Sequence, residues 1–191
     1  MSELYFSSND HAFGLYVGSA HVQHILRLCT RSGVYETGGV LAGHYTDAHD
    51  CAIVTAVSGP PADSQRGRAT FYRGTRDLQP WLDRLWRAKR HYYLGEWHYH
   101  PNASARPSLI DIQQMQEIGN ASQYNCPEPI LLIIGGDPSG WEAEASVCPR
   151  ANSAIAMRRC KPSQMMCPQQ ATLLWPKNGW RHALTTRISG V

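Results

Sequence analysis

Two histidines one residue apart, His98 and His100, stand in the segment Glu96-Trp97-His98-Tyr99-His100-Pro101, and an acid follows at Asp111. On a strand, residues two apart point to the same face, so both imidazoles project together while Tyr99 turns away. Two nitrogens on one face can hold a metal ion, but a catalytic zinc takes three protein ligands and keeps one position open. Pro101 ends the strand, and the loop after it can bring Asp111 back to the same point. A His, His, Asp set leaves the fourth position to water, whose pKa bound zinc lowers to roughly 7. Zinc is the natural metal for these donors, with iron or another divalent ion as alternatives.

Each piece also has a plainer reading. Paired histidines on a strand can be a solvated polar face. Ser108-Leu109-Ile110-Asp111 has the form of a helix start, with Ser108 as N-cap and the acid favoured by the helix dipole. The two readings coexist, since a capping serine can still point its hydroxyl into an adjacent site. Glu96 shares the strand face of the histidines, which makes it a candidate base or a supporting group behind the ligands.

The elements that must position these residues follow from periodicity. Val22, Ile25, Leu26 and Cys29 recur at helical spacing and predict a helix over about residues 20–31, after a short strand at 13–17. Gly38-Gly39-Val40-Leu41-Ala42-Gly43-His44-Tyr45 reads as a buried strand whose glycines admit close backbone approach. Residues 51–57 form a second β-rich run, 58–68 a loop opened by Gly59-Pro60-Pro61, and 70–72 a short strand. Leu78, Trp81, Leu82, Leu85 and Trp86 mark an amphipathic helix packed on a sheet, with both tryptophans in packing roles. The histidine strand spans 92–100 and a helix 108–119. Ile130 to Ile134 is a buried strand, and the alternating run 141–147 its antiparallel partner. Past residue 150 the pattern weakens among prolines, and Leu173-Leu174-Trp175 is the one anchor for a last element. The chain thus divides into a mixed α/β domain over 1–150 and an extension of unassigned role over 151–191.

Composition sets the outer limits. An apolar fraction of 42% supports a real core, and a net charge of +3 with no basic block gives no reason to expect a nucleic-acid partner. No apolar run reaches the roughly 20 residues of a membrane span, and the acidic start Met1-Ser2-Glu3 is unlike a signal peptide. The expectation is a cytoplasmic protein with no membrane partner. The six cysteines show no CxxC pair and read as buried apolar groups or free thiols. A second metal site from Cys160, Cys167 and His182 fits no common zinc spacing.

His98-Tyr99-His100-Pro101 with Ser108-Leu109-Ile110-Asp111 resembles the JAMM signature of the JAB/MPN metallopeptidases, HxHP followed by SxxD. Ten residues lie between His100 and Asp111, as in that family. The family also sets a glutamate beside a glycine-rich strand upstream, and Tyr35-Glu36-Thr37-Gly38-Gly39 has that form. The resemblance covers roughly residues 12–150. It implies a sandwich with a curved, mixed, largely antiparallel sheet flanked by helices. It further implies that His98, His100 and Asp111 bind Zn2+, that Glu36 is the general base, and that Ser108 stabilises the oxyanion. Tyr99 departs from the small residue usual between the histidines of better-known eukaryotic members, which bears on substrate choice.

The Gly-Gly-Val-Leu-Ala-Gly strand and the compact size look like the bacterial JAB branch, similar to proteins encoded with ubiquitin-like conjugation and anti-phage defence systems. That likeness implies an isopeptidase or peptidase cutting at the C-terminus of a ubiquitin-like modifier, or releasing a modified protein. A substrate tail would then lie along a strand edge near residues 58–72. The alternatives are a peptidase that processes a sulfur-carrier protein, a metal-free MPN-like scaffold, and a DNA-associated relative of RadC.

Overall fold

In a computed structural model, described here for residues 3–161 apart from position 138, eight strands form one sheet that closes on itself. The elements run β1 (Leu4–Ser7), β2 (Gly14–Val17), α1 (Ser19–Ser32), β3 (Thr37–Tyr45), β4 (Cys51–Val57), β5 (Gln65–Arg66) and β6 (Phe71–Tyr72). They continue with α2 (Leu78–Lys89), β7 (Tyr92–Pro101), α3 (Leu109–Asn120), a 3-10 turn (Ser122–Tyr124), β8 (Ile130–Asp137), β9 (Gly140–Val147) and β10 (Ile155–Arg159). Around the ring the order is β1-β10-β9-β8-β7-β3-β4-β2, and β5-β6 is a separate hairpin. The pairs β2/β4 and β7/β8 are parallel and the others antiparallel.

The mixed α/β class and the helices on both faces agree with the sequence reading, but the open sandwich does not. The sheet is a closed barrel. Closure depends on β1, which pairs with β2 on one side and β10 on the other. Neither β1 nor β10 is marked by periodicity: all four residues of β1 are buried, so it does not alternate, and β10 is a short Ile-Ala-Met-Arg-Arg run. β10 lies beyond residue 150 and belongs to the same sheet. Leu173-Leu174-Trp175, Cys167 and His182 lie outside the described residues. Cys29, Cys126 and Cys148 are buried free thiols, but Cys51 is disulfide-bonded, which departs from the reading of every cysteine as an apolar group or free thiol. No helix among the described residues is long and apolar enough to cross a membrane.

Alternation along the strands divides the core in two. On one face α1 lays Val22, Ile25 and Cys29 against Leu15, Leu41, Leu94, Trp97 and Leu132. On the other, α2 and α3 cover Val40, Ala42, Leu131 and Ile133 with Leu78, Leu82, Met115 and Ile118. β8 is buried on both faces, as a strand parallel to β7 and covered by helices must be. Each large apolar side chain buried there contributes about 1.5–3 kcal/mol of transfer free energy.

One irregularity matters for the site. The β3/β7 register shifts, with Leu41 opposite Gly95 but Ala42 opposite Tyr93, so β7 carries an extra residue at Leu94. Such a bulge re-aims the side chains on either side of it. Leu94 and Trp97, three apart, therefore share the α1 face. Tyr93 joins Glu96, His98 and His100 on the α2/α3 face.

Candidate metal centre

His98 and His100 lie on the last turns of the pleat in β7, where strand alternation alone aims them at α3. Asp111 reaches them because of how α3 starts. Ser108 is its N-cap in extended conformation, and a reciprocal capping box fixes the first turn. The Ser108 hydroxyl accepts from the Asp111 backbone N–H (3.1 Å), while Asp111 Oδ2 accepts from the Ser108 N–H and hydroxyl, both at 2.7 Å. The box holds the carboxylate still and turns its other oxygen to His98, whose Nδ1 lies 2.8 Å from Oδ1. His100 Nε2 lies 3.6 Å from Oδ2. Capping and site geometry are one arrangement here. The Ser108 hydroxyl proton is spent on Asp111, so donation to a substrate oxyanion requires exchange of that hydrogen bond.

Glu36 enters from the residue before β3, half-buried. Its backbone N–H donates to the Gly67 carbonyl at 2.8 Å, which ties it to the β5–β6 hairpin. Burial raises its carboxyl above the ordinary value; the fields of His100 and His98 oppose that rise and the field of Asp111 adds to it. The four predicted groups therefore share one electrostatic environment although they come from three parts of the chain. Gly38 makes the approach of β3 feasible, since a Cβ there would press on the Trp97 carbonyl, the Phe71 ring and the His98 ring.

Behind His98 lies a layer that sequence periodicity does not announce. Glu96 is 4% exposed and cannot be a free base: its Oε1 accepts from Arg73 Nε at 2.7 Å and from the Tyr93 hydroxyl at 3.2 Å. Burial pushes its carboxyl up, yet Arg73 and His98 outweigh burial and hold it down at about 2. Arg73 also donates to the Gly74 carbonyl and the Tyr124 hydroxyl. His98 Nε2 is 3.5 Å from Glu96 Oε2, an ion-pair distance without hydrogen-bond geometry, and is otherwise unpartnered and buried. Phe71 meets the His98 ring edge to face, with centroids 5.5 Å apart. Burial alone would lower the His98 pKa, but Asp111 and Glu96 raise it to about 9. Asp111 is held well below the carboxylate range, its burial outweighed by His98 and Ser108.

The donor set fits a divalent cation in kind: two imidazoles, His98 through Nδ1 and His100 through Nε2, converge on the Asp111 carboxylate. The three side chains touch one another directly. Among the described residues none of the His, Cys, Asp and Glu groups is spread around a common point in coordinating geometry. Coordination therefore requires Asp111 to exchange its contact with His98 for the metal. A cleft of about 400 Å³ lies on the opposite face, between α1 and the strands, with Leu26, Arg27, Tyr99 and Trp141 in its walls; Glu36, His98, His100 and Asp111 do not line it.

Residues 18–147 match the family model for prokaryotic homologs of the JAB domain. A protein of Enterobacter hormaechei subsp. hoffmannii named CD-NTase/cGAS isopeptidase is 39% identical over 159 residues, covering 83% of this chain and 88% of that one. A protein of Sinorhizobium fredii named probable metalloprotease y4qB is 27% identical over 148 residues, 76% of this chain and 90% of the other. Among solved structures, protein DSY2949 from Desulfitobacterium hafniense superposes with a TM-score of 0.56 at 19% identity, over 72% of this chain and 86% of that one. That likeness concerns the fold alone.

Proposed function

The chain belongs to the family of prokaryotic homologs of the JAB domain, and from that premise we propose that it is a zinc-dependent isopeptidase acting on protein conjugates. The observation that carries the reading is the meeting of Glu36, His98, His100 and Asp111 from three chain segments at one end of β3 and β7. All four fall within residues 1–150, the segment read as the peptidase domain. His98, His100 and Asp111 would hold the metal, which supplies Lewis acidity and brings the pKa of water to roughly 7.

The chain's own residues do the rest. Glu36 takes a proton from the attacking water onto its carboxylate and passes it to the leaving amine; its raised pKa suits both halves of that transfer. Ser108 holds Asp111 in place and, once its hydroxyl exchanges partners, donates to the oxygen of the attacked carbonyl.

The surroundings favour a macromolecular substrate. Val34, Tyr35, Tyr72, Leu109 and Ile110 are the large apolar side chains exposed among the described residues, at 49% to 85%. Each lies within two residues of a group in the site. Exposed apolar side chains gathered at one place mark an interaction surface. With a relative named CD-NTase/cGAS isopeptidase, the reading is a ubiquitin-like modifier, or a protein conjugated to one, as substrate in a bacterial anti-phage system.

The test uses ubiquitin-like modifiers fused through their C-termini to a reporter, with cleavage followed by mass. Wild-type protein cuts at the modifier's C-terminus, stops on chelation and recovers when zinc is returned. Cleavage that persists after complete metal removal refutes the metallopeptidase reading.

A further inference from the structure

We infer that Glu96 is a positioning residue for His98, and that Arg73 fixes Glu96 in that role. The inference rests on the metal-centre reading above and assigns the groups behind its first ligand.

The geometry is specific. Glu96 Oε1 is taken by two donors, Arg73 Nε and the Tyr93 hydroxyl, which leaves Oε2 turned to His98 Nε2 at 3.5 Å. His98 Nδ1 faces Asp111 on the other side. A proton kept on the Glu96 side leaves the ring's lone pair on the side where Asp111 and His100 converge. That is the tautomer a ligand needs, and a carboxylate behind a metal-binding imidazole sets both tautomer and ring orientation. Arg73 cannot swing away, because its guanidinium also donates to the Gly74 carbonyl and to Tyr124 on the 3-10 turn. The bulge at Leu94 completes the arrangement by putting Tyr93 on the same face as Glu96. A residue from the irregular segment between β6 and α2 thereby controls the orientation of a ligand on β7.

The experiment measures zinc affinity of the full chain by competition with a chromophoric chelator, together with the visible spectrum of the cobalt-substituted protein. Glu96→Gln is expected to weaken zinc binding about 10–100-fold and to alter the cobalt spectrum, while Glu96→Asp recovers part of the affinity. Removing one buried charge can unfold the chain, so Arg73→Met combined with Glu96→Gln serves as the second variant, with folding checked by circular dichroism. This pair is expected to fold and still bind zinc 10–100-fold more weakly. Wild-type affinity and an unchanged cobalt spectrum in the folded double variant overturn the positioning role while leaving the metal centre standing. Absence of zinc binding by the wild type itself overturns both.

Discussion

Two regions meet at His98 and are built by different means. On the α3 side, His98, His100, Ser108 and Asp111 occupy a short window of sequence, and regular structure places each of them. Strand alternation pairs the histidines, and an N-cap delivers the acid. On the other side, Arg73, Glu96, Tyr93, Tyr124 and Phe71 come from a strand bulge, a hairpin end, a 3-10 turn and the irregular stretch before α2. There each position depends on a particular contact. The residues proposed as ligands can thus be read from periodicity, whereas the groups that aim them depend on irregular backbone.

The largest effect is expected at the proposed ligands. Asp111→Ala removes the carboxylate on which both histidines converge, and is expected to abolish stoichiometric zinc and reduce hydrolysis to background, read by metal content and the fusion assay. Glu36→Gln should separate binding from chemistry, with zinc retained and kcat lower by about 10²–10⁴-fold. If zinc is lost as well, Glu36 belongs with the ligands. Gly38 touches both regions, and Gly38→Ala should cost about 1–3 kcal/mol by overpacking between Trp97, Phe71 and His98. A shift in urea midpoint measures it.

Acidity sharpens the contrast further. His98 titrates higher in the metal-free fold than its ordinary value of 6.5, so its stabilising contribution is complete below that value and is lost as pH rises through about 9. The metal competes with that proton, so zinc affinity should climb with pH up to about 9, with proton release visible in calorimetry. The smallest expected effect lies at the rim. Leu109→Ser and Ile110→Ser alter exposed positions, so stability should move by no more than about 0.5 kcal/mol. KM for a folded conjugate should rise while kcat holds, and an equal rise for a short peptide would contradict a docking role.

Much of this was legible in the sequence. The helices at Ser19–Ser32 and Leu78–Lys89 and the strands from Thr37 to Val57 follow from apolar spacing. The closed barrel was not, because β1 is buried without alternation and β10 is short. At the site, the meeting of His98 and His100 with Asp111 and the Ser108 cap were legible because their spacing is local. Glu96 was visible as a nearby acid, but its ion pair with Arg73, 23 residues earlier, has no local signal. The segment read as loop before residue 69 holds Gly67, whose carbonyl anchors Glu36, and nothing in its composition marks that contact.

The most direct test is the metal stoichiometry of the full chain by native mass spectrometry, wild type beside His98→Ala, His100→Ala and Asp111→Ala. One zinc per chain is expected in the wild type and none in any of the three variants while each remains folded. One zinc retained in all three variants would place the metal elsewhere and contradict the centre built here.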